Sequence, residues 1–422
     1  MKILIVGGGG REHALAWKLA NDSRHPQIFC APGNAGTAEL GTNLPINQED
    51  CAGLLEWALA NKPDLTVVGP EAPLCAGLVD MFQNAGFRVF GPVRAAAELE
   101  GSKEFSKDVM VSAGVPTATA KIFSDYEEAL EYGRHQKLPL VVKADGLAAG
   151  KGVIICETKE ELEEALKKTM VEREFNSAGD RVLIEEYLVG REVSVLGLVD
   201  GQNTVLLASA QDYKRVFDDD KGLNTGGMGA FSPSPVETEE FRALIKREVF
   251  DRTLDELRRR GIEFKGVLYA GLMLTDNGPK VLEFNCRFGD PETQVIIPRL
   301  ESDLIPILEA CIDGNLDSTM VRWRPEACVC VVMASEGYPG SYKKGVVING
   351  LEKLKDLDNV VVFHAGTRCN GDIVETSGGR VLSVSALGNN LSDAASQAYN
   401  GISKLEFDGA HFRKDIAAKP MV

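Results

Sequence analysis

Glu283 and Asn285 stand two residues apart in Lys280–Gln294, KVLEFNCRFGDPETQ, so a strand there projects both from one face. A carboxylate and an amide oxygen side by side are hard oxygen ligands, suited to Mg²⁺ and the phosphates it bridges. Arg287 lies one step further and adds a planar cation for a carboxylate or phosphate. An ordinary edge strand with solvated polar residues fits the same letters. A second stretch, Leu140–Val153, reads LVVKADGLAAGKGV and sets Lys143 inside an apolar strand, where an unpaired charge is costly. Gly146, Gly150 and Gly152 surround Lys151 with permissive backbone, and a pair of phosphates would satisfy both ammonium groups under a closing loop. A structural glycine turn beside exposed lysines is the other reading, and the spacing GxxxxGK(S/T) is absent.

Two further runs bear on ligands. Gly7, Gly8, Gly9, Gly10, Arg11, Glu12 and His13 follow a strand at Lys2–Val6 and lead into a helix through Leu15, Trp17 and Leu19. Strand, glycine loop and helix N-terminus form a phosphate cradle. A dinucleotide site is disfavoured, because the acid about 20 residues on would be Asp22, ahead of the next strand. Glu185, Glu186, Tyr187 and Leu188 end a strand before Gly190; a flat base could pair with such a hinge and Glu192 with ribose hydroxyls, but a plain domain crossover fits equally. The five histidines form no catalytic cluster, and His13 and His364 are expected to be structural contacts.

The positioning elements follow from periodicity. Strands at Lys2–Val6, Ile28–Ala31, Leu65–Val68 and Arg88–Phe90 alternate with helices and end in glycine turns, which predicts a parallel α/β sheet over residues 1–101 with ligands at the strands' carboxyl ends. Residues 121–187 read as a small α+β lid, and 102–120 with 188–325 as the main lobe. That lobe holds an amphipathic helix over Glu239–Arg260 and a hairpin of Gly266–Leu274 with the Glu283 strand, turning at Asp276-Asn277-Gly278. Residues 326–422 form a last α+β unit. At 422 residues the chain exceeds one core, and 44% hydrophobic with 26% charged residues is a globular composition. A net charge of −16 argues against nucleic-acid binding, and nine cysteines without a CxxC framework are expected to be reduced thiols. No signal-peptide pattern and no run near the roughly 18 apolar residues of a membrane span are present, so a cytoplasmic location with no membrane association is expected.

Gly7–His13, Lys143–Val153, Asp212–Arg215, Thr225–Gly229 and Phe284–Gln294 together resemble the phosphoribosylamine–glycine ligases, or glycinamide ribonucleotide synthetases, an ATP-grasp family of purine biosynthesis. FHAGT at Phe363–Thr367 and GGRVLSV at Gly378–Val384 extend the resemblance to the C-terminal unit. It implies an N-terminal preATP-grasp domain, two ATP-grasp lobes and a small C-terminal domain. It further implies that ATP, glycine and 5-phosphoribosylamine give glycinamide ribonucleotide, ADP and phosphate through glycyl phosphate. By the same resemblance Lys103 and Lys143 meet phosphates, Gly146, Gly150, Lys151 and Gly152 cover them, and Glu185, Glu186, Tyr187 and Leu188 border adenine. Glu192 meets the ribose, and Glu283 with Asn285 holds Mg²⁺ or Mn²⁺. The phosphoribosylamine phosphate belongs near Gly9, Gly10 and Arg11, with Asn34 or Gly36 adjoining. Lys214, Thr225, Gly226, Gly227 and Arg287 line the reaction centre, with Asp212 and Asp290 as orienting acids.

Two positions depart from the family pattern, Tyr213 for a usual histidine and Leu223 for a usual proline, which puts loop shape in question. A monomer or weak homodimer is expected. The runners-up are another ATP-grasp carboxylate–amine ligase, separable by its acid substrate, and a nucleotide-sensing module that binds ATP without turnover.

Overall fold

The computed structural model describes residues 1–147 and 152–418. Five parallel strands open the chain, β1 (Lys2–Gly7), β2 (Gln27–Pro32), β3 (Thr42–Asn43), β4 (Leu65–Val68) and β5 (Val89–Phe90), in the order β3-β2-β1-β4-β5. Leu4 and Val6 pack with Leu54, Leu78 and Phe82, while Ile3 and Ile5 pack with Leu15, Leu19 and Ile296. Both faces are therefore covered, which is why β1 reads as an unbroken apolar run. The strand order turns back between β1 and β4, so the loops leaving those strands flank a crevice. The helices that follow those loops carry Arg11 and Glu71 in their first turns.

The lid sheet is antiparallel, built from β6 (Ala120–Phe123), β7 (Leu140–Ala144), β8 (Val153–Cys156) and β9 (Val182–Glu186) in the order β6-β9-β7-β8. Helices Tyr126–Arg134 and Lys159–Leu166 cover one face, where Leu130, Leu162 and Leu166 meet Leu140, Val142 and Ile184. Strand alternation turns Val141, Lys143 and Glu185 to the opposite face.

Beyond the lid come β10 (Arg191–Asp200), β11 (Thr204–Leu206), β12 (Gln211–Asp212), a hairpin of β13 (Arg215–Phe217) and β14 (Lys221–Asn224), and β15 (Gly229–Ser232). β16 (Lys265–Thr275) and β17 (Gly278–Asn285) complete a second sheet ordered β11-β10-β16-β17. The amphipathic helix spans Glu239–Arg259 and is π-helical over Lys246–Asp251. Phe250 in that stretch lies so close to β10 that a Cβ on Gly197 would stand 2.7 Å from its ring.

β17 is an edge strand with one irregularity. Gly271 faces Glu283 and Leu272 faces Val281, so Leu282 is an extra residue in the ladder. Val281 and Phe284 both enter the core, whereas Lys280 and Glu283 face the lid and cleft.

The last sheet runs β12-β15-β18-β22-β19, with β18 (Ala327–Ser335), β19 (Val360–His364) and β22 (Arg380–Gly388). A separate hairpin, β20 (Thr367–Asn370) with β21 (Ile373–Thr376), precedes β22, and β23 (Ala410–His411) pairs with β18. The boundary expected at 326 is thus crossed by the sheet. β15 pairs with Cys328–Val331, and both strands are buried throughout, so the last unit completes its core with upstream strands. Helix Leu391–Ile402 packs over it, capped by the Asn390 side chain. Among the described residues no helix is long and apolar enough to cross a membrane.

Candidate active site

A cleft of about 1550 Å³ opens between the lid, the β16–β17 hairpin, the carboxyl ends of β1 and β4, and the start of β22. Glu283 and Asn285 line it together with Lys103 and Lys143, so the upstream lysines and the paired oxygens face one space. Gly146, Gly152, Glu185, Glu186, Tyr187, Leu188 and Glu192 line it as well. Gly150 and Lys151 lie outside the described residues.

Lys143 Nζ is 2.8 Å from Glu185 Oε2 and donates to the carbonyl of Leu282 at 3.0 Å. The other Glu185 oxygen is 2.9 Å from Lys107 Nζ. Burial alone would raise the Glu185 carboxyl, but Lys143 and Lys107 together hold it below its ordinary value. Lys107 was not anticipated. Its signal is a position one turn after Lys103 in helix Lys103–Ala113, on the stripe shared with Met110. Lys103 Nζ donates to the carbonyls of Ala144 (2.9 Å) and Gly146 (2.8 Å), which ties the main-lobe helix to the start of the glycine loop. Glu186 is steadied by Lys280 at 2.8 Å and by the N–H of Thr119 at 2.9 Å.

Burial pushes the Glu283 carboxyl up, and Lys214, Lys143, Lys103 and Arg287 outweigh it, leaving the group below its ordinary range. Glu283 is accordingly a carboxylate facing a local group of cations. Among the described residues no three His, Cys, Asp or Glu side chains converge as a metal cluster. Two protein oxygens are what Mg²⁺ takes when nucleotide phosphates and water supply its remaining ligands, so the donor set fits that ion.

Lys214 and Asp212 project into the cleft from the β12–β13 connection. Lys214 Nζ is 2.8 Å from Glu192 Oε2. Asp212 is raised to about 8, first by burial and then by Glu292, Glu192 and Glu283, with Lys214 opposing. The Lys214 carbonyl accepts from the Thr225 N–H (2.7 Å) and hydroxyl (2.8 Å), and Thr225 Oγ1 accepts from the Gly227 N–H at 3.0 Å. Gly227 has φ +110°, and a Cβ there would stand 2.4 Å from Pro291, so only glycine lets this loop abut the Asp290 turn. Thr225 and Gly226 line the cleft, and Gly227 lies behind them.

Arg287 bridges the lobe to the N-terminal sheet, with Nε 3.2 Å from Glu71 and Nη2 2.8 Å from Glu100. Burial would raise Glu71, yet Arg287 and Arg11 draw it down to about 2; burial dominates at Glu100, which rises to about 7. Asp290 meets Arg380 at 3.2 Å and accepts from Gln294 Nε2 at 2.7 Å. Arg380 Nη1 also donates to the carbonyls of Gly226 and Asp290, and the Tyr338 hydroxyl accepts from the Gly226 N–H at 2.9 Å. The C-terminal sheet therefore supplies part of the cleft wall. Glu71, Glu100, Glu292, Tyr338 and Arg380 were all missed. Glu71 closes a Gly-Pro-Glu turn at a strand's carboxyl end, and Arg380 sits in GGRVLSV; Glu100 carries no local signal.

The N-terminal loop does something else besides. Arg11 lines the cleft, but Gly9, Gly10, Asn34 and Gly36 do not. The Glu12 carboxylate accepts the Gly9 N–H at 2.7 Å and fills the space under Gly7 and Gly69, so the loop encloses an acid of its own helix. Asn34 caps the helix Ala35–Leu40, and its amide donates to the carbonyls of Gly8 (2.9 Å) and His364 (2.7 Å). A Cβ on Gly36 would strike His13. His13 Nδ1 accepts the His364 N–H at 2.7 Å, and burial lowers His13 to about 3 and His364 to about 4. Neither ring lines the cleft. Tyr213 turns away from it into the C-terminal core, and Leu223 is exposed.

Phosphoribosylglycinamide synthetase family models match in sequence along the chain: the N domain over residues 1–100, the ATP-grasp (A) domain over 101–293 and the C domain over 328–419. The phosphoribosylamine–glycine ligase of Caldanaerobacter subterraneus subsp. tengcongensis is 47% identical over 418 residues, covering 99% of this chain and 100% of the relative. That of Vibrio vulnificus is 50% identical over 419 residues, 99% and 97% of the two chains. The crystal structure of phosphoribosylamine–glycine ligase from Thermotoga maritima superposes with a TM-score of 0.87 at 36% identity, covering 99% and 100%. The biotin carboxylase domain of Hydrogenobacter thermophilus 2-oxoglutarate carboxylase, in complex with MgADP and bicarbonate, shares the fold at a TM-score of 0.75 and 17% identity over 97% and 91%.

Proposed function

Because this chain belongs to the phosphoribosylglycinamide synthetase family, we propose that it ligates glycine to 5-phosphoribosylamine with cleavage of ATP, giving glycinamide ribonucleotide, ADP and phosphate. The observation that carries this reading is the opposition, across one cleft, of Lys143 on the lid and the Glu283–Asn285 pair on the edge strand. ATP lies between them, its base toward Tyr187 and Leu188 and its phosphates toward Lys103 and Lys143. Gly146 and Gly152 border the phosphates. Glu283 and Asn285 would hold Mg²⁺, which would supply charge neutralisation at the transferred phosphoryl group.

Glycine carboxylate attacks the γ-phosphorus and ADP leaves, forming glycyl phosphate. Two anions meet in this step, so the barrier is electrostatic, and Lys143 and Arg287 lower it. The phosphoribosylamine amine, oriented by Asp212, then attacks the acyl carbon, and phosphate departs with the proton that the nitrogen sheds. Lys214, Thr225 and Gly226 line this centre. The sugar phosphate lies toward Arg11 and Arg380, at the crevice between β1 and β4. Domain closure keeps water from the acyl phosphate.

An ADP-release assay with freshly generated phosphoribosylamine, omitting each reactant in turn, tests the reading. Release must need all three reactants; equal release without glycine, or with formate or bicarbonate in its place, refutes it.

A further inference from the structure

The residue pair flanking Lys214 is gripped from the far side by the end of the chain. Tyr213 lies 3% exposed in the C-terminal core, and its hydroxyl accepts the Ala417 N–H at 3.0 Å. The Arg413 guanidinium stacks over the Tyr213 ring at 4.8 Å and is itself 1% exposed. Its Nη1 donates to the Arg215 carbonyl (3.1 Å) and to Asp220 Oδ1 (2.8 Å), and its Nε and Nη2 donate to Asp415 at 2.7 and 2.6 Å. The Lys414 N–H donates to Asp218 at 2.8 Å, the Asp219 N–H to Asp415 at 3.0 Å, and His411 Nε2 to the Val216 carbonyl at 2.8 Å. Residues 411–417 thus hold the Tyr213 side chain on one side of Lys214, the Arg215 carbonyl on the other, and the hairpin beyond.

The grip reaches the cleft through few bonds. Tyr213 exchanges backbone hydrogen bonds with Gly229 (2.9 Å) and Met228 (2.7 Å), and Lys214 holds Thr225. A planar five-donor cation buried here with two carboxylates, a carbonyl and an aromatic face is costly to assemble and fixes orientation in every direction. Such a group is more than a surface tie.

We propose that Arg413, acting through Tyr213, is a positioning residue for the Lys214–Gly227 segment, so that the C-terminal strap sets the geometry of the acyl-transfer centre without touching a substrate. This rests on the role given above to Lys214 and Thr225. Tyr213 is the anvil against which Arg413 presses.

The test compares Arg413→Met, Tyr213→Phe and the surface control Lys414→Ala in the full chain. The readouts are turnover with all three reactants, MgATP dissociation constant by equilibrium dialysis, and amide hydrogen exchange over residues 213–229. Because small misplacements of reacting groups cost turnover steeply, Arg413→Met should lose about tenfold or more and Tyr213→Phe about threefold, each with MgATP affinity within about twofold of the parent. Exchange over 213–229 should quicken in both, and Lys414→Ala should match the parent. Parental turnover in a folded Arg413→Met chain overturns the proposal, even if exchange quickens. So does a loss of MgATP affinity in proportion to turnover, which means general loosening. Should Arg413→Met fail to fold, Tyr213→Phe decides alone, and unchanged turnover overturns the proposal. If the parent shows no turnover, the ligase reading fails, and the strap is judged on exchange, where unchanged rates in the variants overturn it.

Discussion

His13 and His364 join the first and last units of the chain through two buried neutral rings, and their titration should be visible in stability. An unfolded imidazole titrates near 6.5, whereas His13 is held at about 3 and His364 at about 4, in each case chiefly by burial. The folded values are depressed, so the stabilisation is complete above 6.5 and is lost as pH falls through the window toward 4 and 3. At pH 5 the unfolded rings are almost fully protonated and the folded ones remain neutral. Integrating the linkage from pH 7 to pH 5 gives about 2 kcal/mol lost per ring, or about 4 kcal/mol for the pair. This result depends only on both folded values lying well below 5.

His13→Asn isolates one ring. The Asn oxygen stands where Nδ1 does and can still accept the His364 N–H, while the titration is removed. The variant should be less stable at pH 7, because the ring also packs against Phe363. Comparing pH 7 with pH 5 within each protein cancels that packing cost. Denaturant unfolding at both pH values, followed by the fluorescence of Trp17 whose ring lies 5.9 Å from Phe363, reports on this interface. The parent's loss on acidification should exceed the variant's by about 2 kcal/mol. Parallel pH profiles in the two proteins would mean that His13 is not held neutral by the fold, and the assignment would fail.

Glu283→Ala should cut turnover about 10²-fold or more with the fold intact, and near-normal turnover with no greater need for Mg²⁺ would count against the metal assignment. Arg11→Ala should raise the KM for phosphoribosylamine about tenfold and leave that for ATP unchanged; the opposite pattern would reassign the sugar-phosphate end. Lys107→Met should destabilise by about 2 kcal/mol, short of a fully orphaned buried charge because Lys143 still pairs with Glu185, and a thermal melt at pH 7 matching the parent would refute the shared-carboxylate reading.

Much of this site was legible where a polar residue interrupts an apolar period. Lys143 in LVVKA and the Glu283–Asn285 pair stand out because burial without a partner is improbable, and the cleft lies where both point. The parallel sheet was equally plain, since strands β1, β2 and β4 are short apolar runs closed by glycine turns. Partners brought by tertiary contact were not plain. Glu100 reaches Arg287 across 187 positions of sequence, and Arg380 arrives from another sheet. The glycine loop after β1 was read as a phosphate cradle, but its nearest carboxylate is its own Glu12, two residues into the helix it precedes, a local solution that spacing alone does not reveal. The pairing of β15 with β18 was not legible, because composition changes at 326 while the hydrogen-bonded sheet runs on across it.

The surplus residue at Leu282 reconciles two demands on one edge. Upstream, Val281 belongs inside and Lys280 outside; downstream, Phe284 belongs inside and Glu283 outside, an arrangement no uninterrupted two-residue rhythm can accommodate. The insertion resets the parity, and the carbonyl of the extra residue is the one Lys143 reaches. A defect in the weave is therefore also the point on which the lid strand rests through Lys143, immediately beside Glu283 and Asn285. Under the proposed function, any displacement of that strand is felt at once by the two side chains assigned to the cation.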